Sequence, residues 1–175
     1  SKPENKEKQR ARRSTPDGKA RHTKNCIKAR NKRRGQPSGI AFDAEAALEE
    51  QGGKCYYCLT PFSETNPSRK PHVEHMVPLA QDGWDCASNI CLACRRCNFT
   101  MGALPFGEAL DMLVKRDLIT TTRAEEAKAG LAEKQRIFLE KQCPDPEAYI
   151  AENGLEGKPA DDIREIHRRV TAYHK

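Results

Sequence analysis

Two short cysteine pairs constrain this chain more than any other feature: Cys55-Tyr-Tyr-Cys58 and Cys94-Arg-Arg-Cys97. In each pair the sulfurs lie close enough to chelate one ion, and two such knuckles supply the four thiolates of a tetrahedral zinc shell. Four free core thiols would not account for the paired spacing. A shared zinc would close the 35 residues between the knuckles into a loop. That is longer than a zinc ribbon needs, so the loop has room for content of its own. It carries His72, Glu74-His75 and Asn89, and Asn98 directly follows the last cysteine. Cys26, Cys86, Cys91 and Cys143 lack a partner at chelating spacing. Cys91 fits a small core residue on a strand.

The 175-residue chain is 37% hydrophobic and 32% charged, with a mean hydropathy of −0.85. That balance suits a modest core stapled by metal better than a large apolar one. Charge is unevenly placed: residues 1–40 hold 14 Lys+Arg against 3 Asp+Glu, which leaves 17 against 22 for the remainder. A basic arm over residues 1–38, flexible or helical, points to a polyanion, and Arg30, Lys32, Arg33 and Arg34 are its candidate nucleic-acid contacts. An inert cationic tail is the plainer alternative. No apolar run approaches the roughly 20 residues of a membrane span. Paired CxxC motifs without a secretory signal favour metal over disulfides, and with that a soluble, intracellular protein.

Elements follow from local pattern. Asp43 can cap a short helix that Phe42 and Ala47 staple and Gly52 ends, delivering the chain to Cys55. His72–Val77 predicts a strand stopped by Pro78, and Asn89–Ala93 predicts a second. Trp84, in the loop between them, could stack on a base or simply pack. A helix should begin within or just after the second knuckle. Beyond it, Ala109, Leu110, Leu113 and Val114 share one helical face. A capping box at Thr122-Arg-Ala-Glu125 predicts a helix to about Gln142, broken by Cys143-Pro-Asp-Pro146. A last helix places Ile163, Ile166, Val170 and Tyr173 on one side.

Glu74-His75, Pro78-Leu79, Asn89 and Cys94-x-x-Cys97-Asn98, in this order and spacing, resemble the HNH endonuclease family, the ββα-metal or His-Me finger nucleases, in a four-cysteine zinc form. The resemblance spans roughly residues 52–104 and leaves out the arm and the C-terminal helices. It implies a small zinc-stapled ββα-metal core (39–107); with the arm (1–38) and the C-terminal helical region (108–175) read from composition and pattern, the chain is α+β in three parts. The resemblance also implies roles. His75 would be the general base, and Glu74 and Asn98 would hold a catalytic Mg²⁺, Mn²⁺ or other divalent ion. Asn89 would brace the loop that orients the base. The products would be 5′-phosphate and 3′-hydroxyl ends on DNA.

The chemistry of the residues agrees. A neutral imidazole can take a proton from water near pH 7, and hard oxygen donors select a cation that keeps open waters. Two departures stand out: Glu74 occupies a position where the family often has Asp, and Asn98 replaces the final His. His72 shares the strand face of Glu74, where it could touch the metal or phosphate or hydrogen-bond a loop. Glu74 and His75 are neighbours, so pleating sends them to opposite faces unless the strand ends there. Arg95 and Arg96, between the second pair of zinc ligands, can contact phosphate or remain solvated. Two rivals keep the knuckles. One is a non-catalytic zinc-stabilised nucleic-acid-binding module. The other is an adaptor whose C-terminal helices dock a protein partner, with the nuclease core serving a larger complex; the same helices could also pair with a second copy.

Overall fold

The structure is a computed structural model and describes residues 38–173. The reading of the basic arm, with Arg30, Lys32, Arg33 and Arg34, and that of Cys26 lie outside the described residues. Helix α1 (Ala44–Glu50) begins where expected, because the Asp43 carboxylate accepts from the Glu45 and Ala46 amides at 2.9 and 3.1 Å. Gly52, at φ +59°, turns the chain out of it.

Strand β1 (Pro71–His75) pairs antiparallel with β2 (Ile90–Cys94), Pro71 facing Cys94 and His75 facing Ile90. Helix α2 (Arg95–Met101) leaves β2 inside the second knuckle, which completes a strand–loop–strand–helix unit. The outer edge of β2 is closed by a side chain acting as a strand. The Gln51 amide accepts from Leu92 N and donates to Leu92 O, each at 2.9 Å, and Tyr56 N–H adds a bond to the same carbonyl at 3.0 Å. Covered in this way, a two-stranded sheet exposes little unpaired backbone.

Four helices follow: α3 (Phe106–Lys115), α4 (Thr121–Ile137), α5 (Pro146–Glu152) and α6 (Lys158–Tyr173). One expectation is corrected here and another extended. Thr122 does not open a capping box, because Thr120 takes the cap, its hydroxyl accepting from Arg123 N at 3.1 Å. Three threonines in a row can each serve, and buried Ile119 brings the chain up at the first of them. Helix α4 then runs into a wider π-turn over Phe138–Gln142. The Cys143-Pro-Asp-Pro146 break is also a start: Asp145 accepts from Glu147 N at 2.9 Å and Pro146 sits in the first turn of α5.

The core runs from Cys55 through β2 and α3 to Val170. Ala109, Leu110 and Leu113 of α3 and Ile163, Ile166 and Val170 of α6 are buried in it, whereas Val114 and Tyr173 stay at its edge. The apolar stripes that a second copy or protein partner would use are thus spent on the chain's own core. They pack on the zinc unit as well as on one another. The space a Gly39 side chain would need is filled by Ile166 Cδ1, 2.6 Å away. Arg123 of α4 donates to the carbonyls of Tyr56 and Tyr57 in the first knuckle. Arg169 of α6 donates to Asp82 O at 2.8 Å and Gly83 O at 3.1 Å. Among the described residues, no helix is long and apolar enough to cross a membrane.

Glu165 aims Arg169 at that loop: its carboxylate accepts from Arg169 Nε at 2.7 Å. Hydrogen bonds from Arg168 and Arg169 pull its pKa from 4.5 down to about 2. A depressed carboxylate pKa adds stability that is present above pH 4.5 and is lost as pH falls toward 2. At a partly exposed site solvent screening holds this to about 1 kcal/mol or less. Glu165→Gln should lower Tm by about 2 °C at pH 7, and the gap to the parent should narrow by about pH 3.5. Circular-dichroism melts of both proteins at each pH cancel any shared loss of metal. A gap that does not change with pH would assign the effect to packing instead of charge.

Candidate active site and metal centre

The Sγ atoms of Cys55, Cys58, Cys94 and Cys97 all lie within 4.8 Å of one another, and Cys58 Sγ is 3.9 Å from Cys94 Sγ. A tetrahedral ion with Zn–S bonds near ~2.3 Å needs sulfurs roughly 3.8 Å apart, so the donor set fits zinc. Two backbones meet in it: Cys94 N–H points at Cys55 Sγ, 3.2 Å away. Crowding the thiols together splits their acidities. Hydrogen bonding within the cluster, led by that with Cys55, pulls Cys58 down and brings Cys94 to about 6. The same contacts push Cys55 and Cys97 up. A cation removes the conflict, because it stabilises all four as thiolates.

Cys91, by contrast, is buried on β2 at hydrogen-bonding distance from the Tyr57 hydroxyl, 3.7 Å. Burial pushes its thiol up to about 12. It is a core thiol.

The pleat of β1 divides the candidate catalytic residues. His72 and Glu74 turn toward α2, and there the Asn98 side-chain amide donates to Glu74 Oε2. The His72 ring stands edge-on to Phe99, with centroids 6.2 Å apart. Burial, helped by nearby Arg95, lowers the His72 pKa below its ordinary value. His75, the last residue of β1, turns elsewhere: its Nε2 lies 2.9 Å from Asp85 Oδ1. Both centres are largely sheltered, Glu74 being 8% and His75 7% exposed. An ionised carboxylate can only accept, so Nε2 is the His75 nitrogen that carries a proton toward Asp85, and in the neutral ring Nδ1 holds the lone pair.

Asn89 holds the loop between His75 and Asp85. Fully buried, it accepts from Val77 N at 2.7 Å and donates to Val77 O and Trp84 O at 2.9 Å each. One amide thereby ties both ends of the loop. Gly83 makes that closure possible, because a Cβ there would lie 2.0 Å from Val77 O. Trp84 packs and does not present a face to ligand: it is 1% exposed and its Nε1 donates to Ser88 Oγ at 2.9 Å.

Arg95 and Arg96 diverge. Arg95 lies over the Phe99 ring, whereas Arg96 lines a cleft of about 550 Å³ beside the zinc knuckle with Asn66, Ser68 and Arg69. Asp85 is the residue that the sequence reading leaves out. The only local hint is its place after a Gly-Trp turn, and nothing there names a partner ten positions back.

Residues 55–103 match the family model described as HNH endonuclease. This segment is an HNH domain. The match begins at the first zinc-knuckle cysteine and takes in both strands and α2. Comparison with curated proteins finds no match. The HNH domain thus coincides with the unit that the four cysteines close, and its motif residues occupy the strand, loop and helix described above.

Two substitutions probe the supports separately. Cys94→Ala should release the zinc and unfold the central region, read by zinc stoichiometry and circular dichroism together. A well-folded, zinc-free variant would deny the ion a structural role. Asn89→Ala leaves buried Val77 and Trp84 groups unpaired and should cost about 3 kcal/mol in denaturant unfolding, with zinc retained.

Proposed function

We propose that the protein is a metal-dependent endonuclease that hydrolyses phosphodiester bonds in DNA, leaving 5′-phosphate and 3′-hydroxyl ends. The observation that carries this reading is the sorting of motif residues within the HNH domain. A carboxylate–amide pair (Glu74 and Asn98) lies on one side of β1, and a carboxylate-held imidazole (His75 and Asp85) ends the strand.

His75 is the general base. Asp85 fixes the ring through Nε2, so Nδ1 is left to take a proton from water. The resulting hydroxide attacks phosphorus, the P–O3′ bond breaks, and the departing 3′-oxygen takes a proton from solvent water, while the proton on His75 returns to solvent. Glu74 and Asn98 would hold a divalent ion such as Mg²⁺ or Mn²⁺, each having a side-chain oxygen to offer. When bound, that ion neutralises charge on the phosphate and on the leaving oxygen. Asn89 acts at one remove, by keeping the 76–85 loop closed around His75. The zinc is structural. Outside the core, the basic arm supplies sequence-independent affinity that falls with salt.

The test is cleavage of supercoiled plasmid with Mg²⁺, with Mn²⁺ and with no added divalent ion. Metal-dependent nicking or linearisation is expected, and His75→Ala should slow it by at least about 100-fold while DNA retardation on a gel persists. Cleavage retained by pure His75→Ala protein would remove His75 as the base. Retardation without cutting under any metal would favour a binding module.

A further inference from the structure

One residue beside the site is costly where it stands. Phe99 is 67% exposed, the most solvent-facing large hydrophobic among the described residues, ahead of Leu59, Tyr173 and Leu48. It does not belong to the apolar side of α2, whose buried residues are Cys97 and Met101. Its own packing needs do not explain it, and its surroundings are specific. It directly follows Asn98. The Arg95 guanidinium lies over its ring, 5.0 Å from the centroid, and His72 meets it edge-on. The turn Pro67–Arg69 packs against α2 and carries exposed Arg69, with exposed Lys70 next to it. Arg95 and Arg96 are exposed on α2 itself.

We propose that Phe99 is a stacking platform for an unpaired base next to the cleavage centre, so that single-stranded or locally unpaired DNA is the favoured substrate. An exposed aromatic ring with the Arg95 guanidinium over one face matches a nucleotide, which offers a π-face flanked by phosphates, and stacking of this kind tolerates any base. A paired base inside an intact duplex has no free face to offer. The stacked base would hold its strand against α2, one residue from Asn98. This deepens the nuclease reading and rests on it for the identity of the ligand, but binding can be measured without cleavage.

The experiment uses the full zinc-loaded chain with no added divalent ion. Fluorescence anisotropy compares a single-stranded oligonucleotide carrying 2-aminopurine with a blunt duplex of the same sequence. Phe99→Ala should weaken single-strand binding about ten-fold and leave duplex binding unchanged. Phe99→Trp should retain single-strand affinity and quench 2-aminopurine. Phe99→Leu, equally apolar but without a π-face, should behave as Ala does. Zinc content checks that each variant is folded. Unchanged affinity in Phe99→Ala, equal losses on both DNAs, or a Leu variant as good as the parent would each overturn the proposal. If the parent cuts plasmid while Phe99→Ala binds normally, only the stacking role falls. If the parent binds neither DNA, the nuclease reading falls with it.

Discussion

A pair of five-residue strands and a seven-residue helix cannot stand alone in water. An isolated hairpin is marginal, and a helix of two turns does not repay its nucleation. The four cysteine sulfurs change that. Cys55 and Cys58 sit in the turn before β1, while Cys94 ends β2 and Cys97 lies in the first turn of α2. One ion held by these four sulfurs would tie the entry of the domain to the junction where strand becomes helix. Cys94 also flanks α2 at its N-terminal end without a side-chain cap, so thiolate charge there favours the helix dipole in place of an ordinary capping oxygen. Everything downstream inherits this clamp: the register of β2 against β1, the position of Asn98 opposite Glu74, and the surface that carries Arg95 and Phe99.

A second set of supports comes from the other end of the chain and acts on the loop, not on the metal. Arg169 caps the Asp82 and Gly83 carbonyls, Tyr173 stands edge-on to Trp84 at 6.2 Å, and Ile166 fills the space beside Gly39. Gly39 N in turn donates to Asp85 O at 3.0 Å. The C-terminal helices thus close over the back of the segment that presents Asp85 to His75. Arg123 of α4 does the same for the first knuckle. Helices that look like an appendage in sequence are, in the fold, the wall against which the small strand–loop–strand–helix unit is built.

What was legible in the sequence is what local spacing encodes. Paired CxxC motifs announce their own chelate, alternation of Ile90 and Leu92 announces a strand, and an apolar stripe at helical period announces a buried face. Asn89 was legible through resemblance, and its three hydrogen bonds to Val77 and Trp84 give the physical content of a brace. Relations between distant residues were not legible. No pattern marks Asp85 as the partner of His75, because the contact exists only after Asn89 and Gly83 have folded the loop back. Thr120 and Thr122 carry the same capping chemistry, and only the burial of Ile119 decides between them. Asp145-Pro146 did carry a helix-start signal, an N-cap followed by proline, but the same residues also spell a break. Exposure of Phe99 was invisible too, since a phenylalanine between a zinc ligand and a helix end reads as core by default.

The division of labour on β1 has a consequence for where a phosphate must lie. Alternate residues of a strand face opposite sides, so Glu74 and His75 cannot approach one ligand from the middle of a sheet. Here β1 ends at His75, and the next backbone bond, Met76 N to Asn89 O at 2.9 Å, already belongs to the braced loop. In the proposed reaction a phosphate reached by both residues would lie across the strand end, with α2 on one side and the Asp85 loop on the other. The two sides are held by different means, the four-cysteine cluster for α2 and the Asn89 and Arg169 hydrogen bonds for the loop. Their mutual position rests on the strand pair and the shared core behind it, and the buried β2, with its edge closed by Gln51, keeps the halves in register.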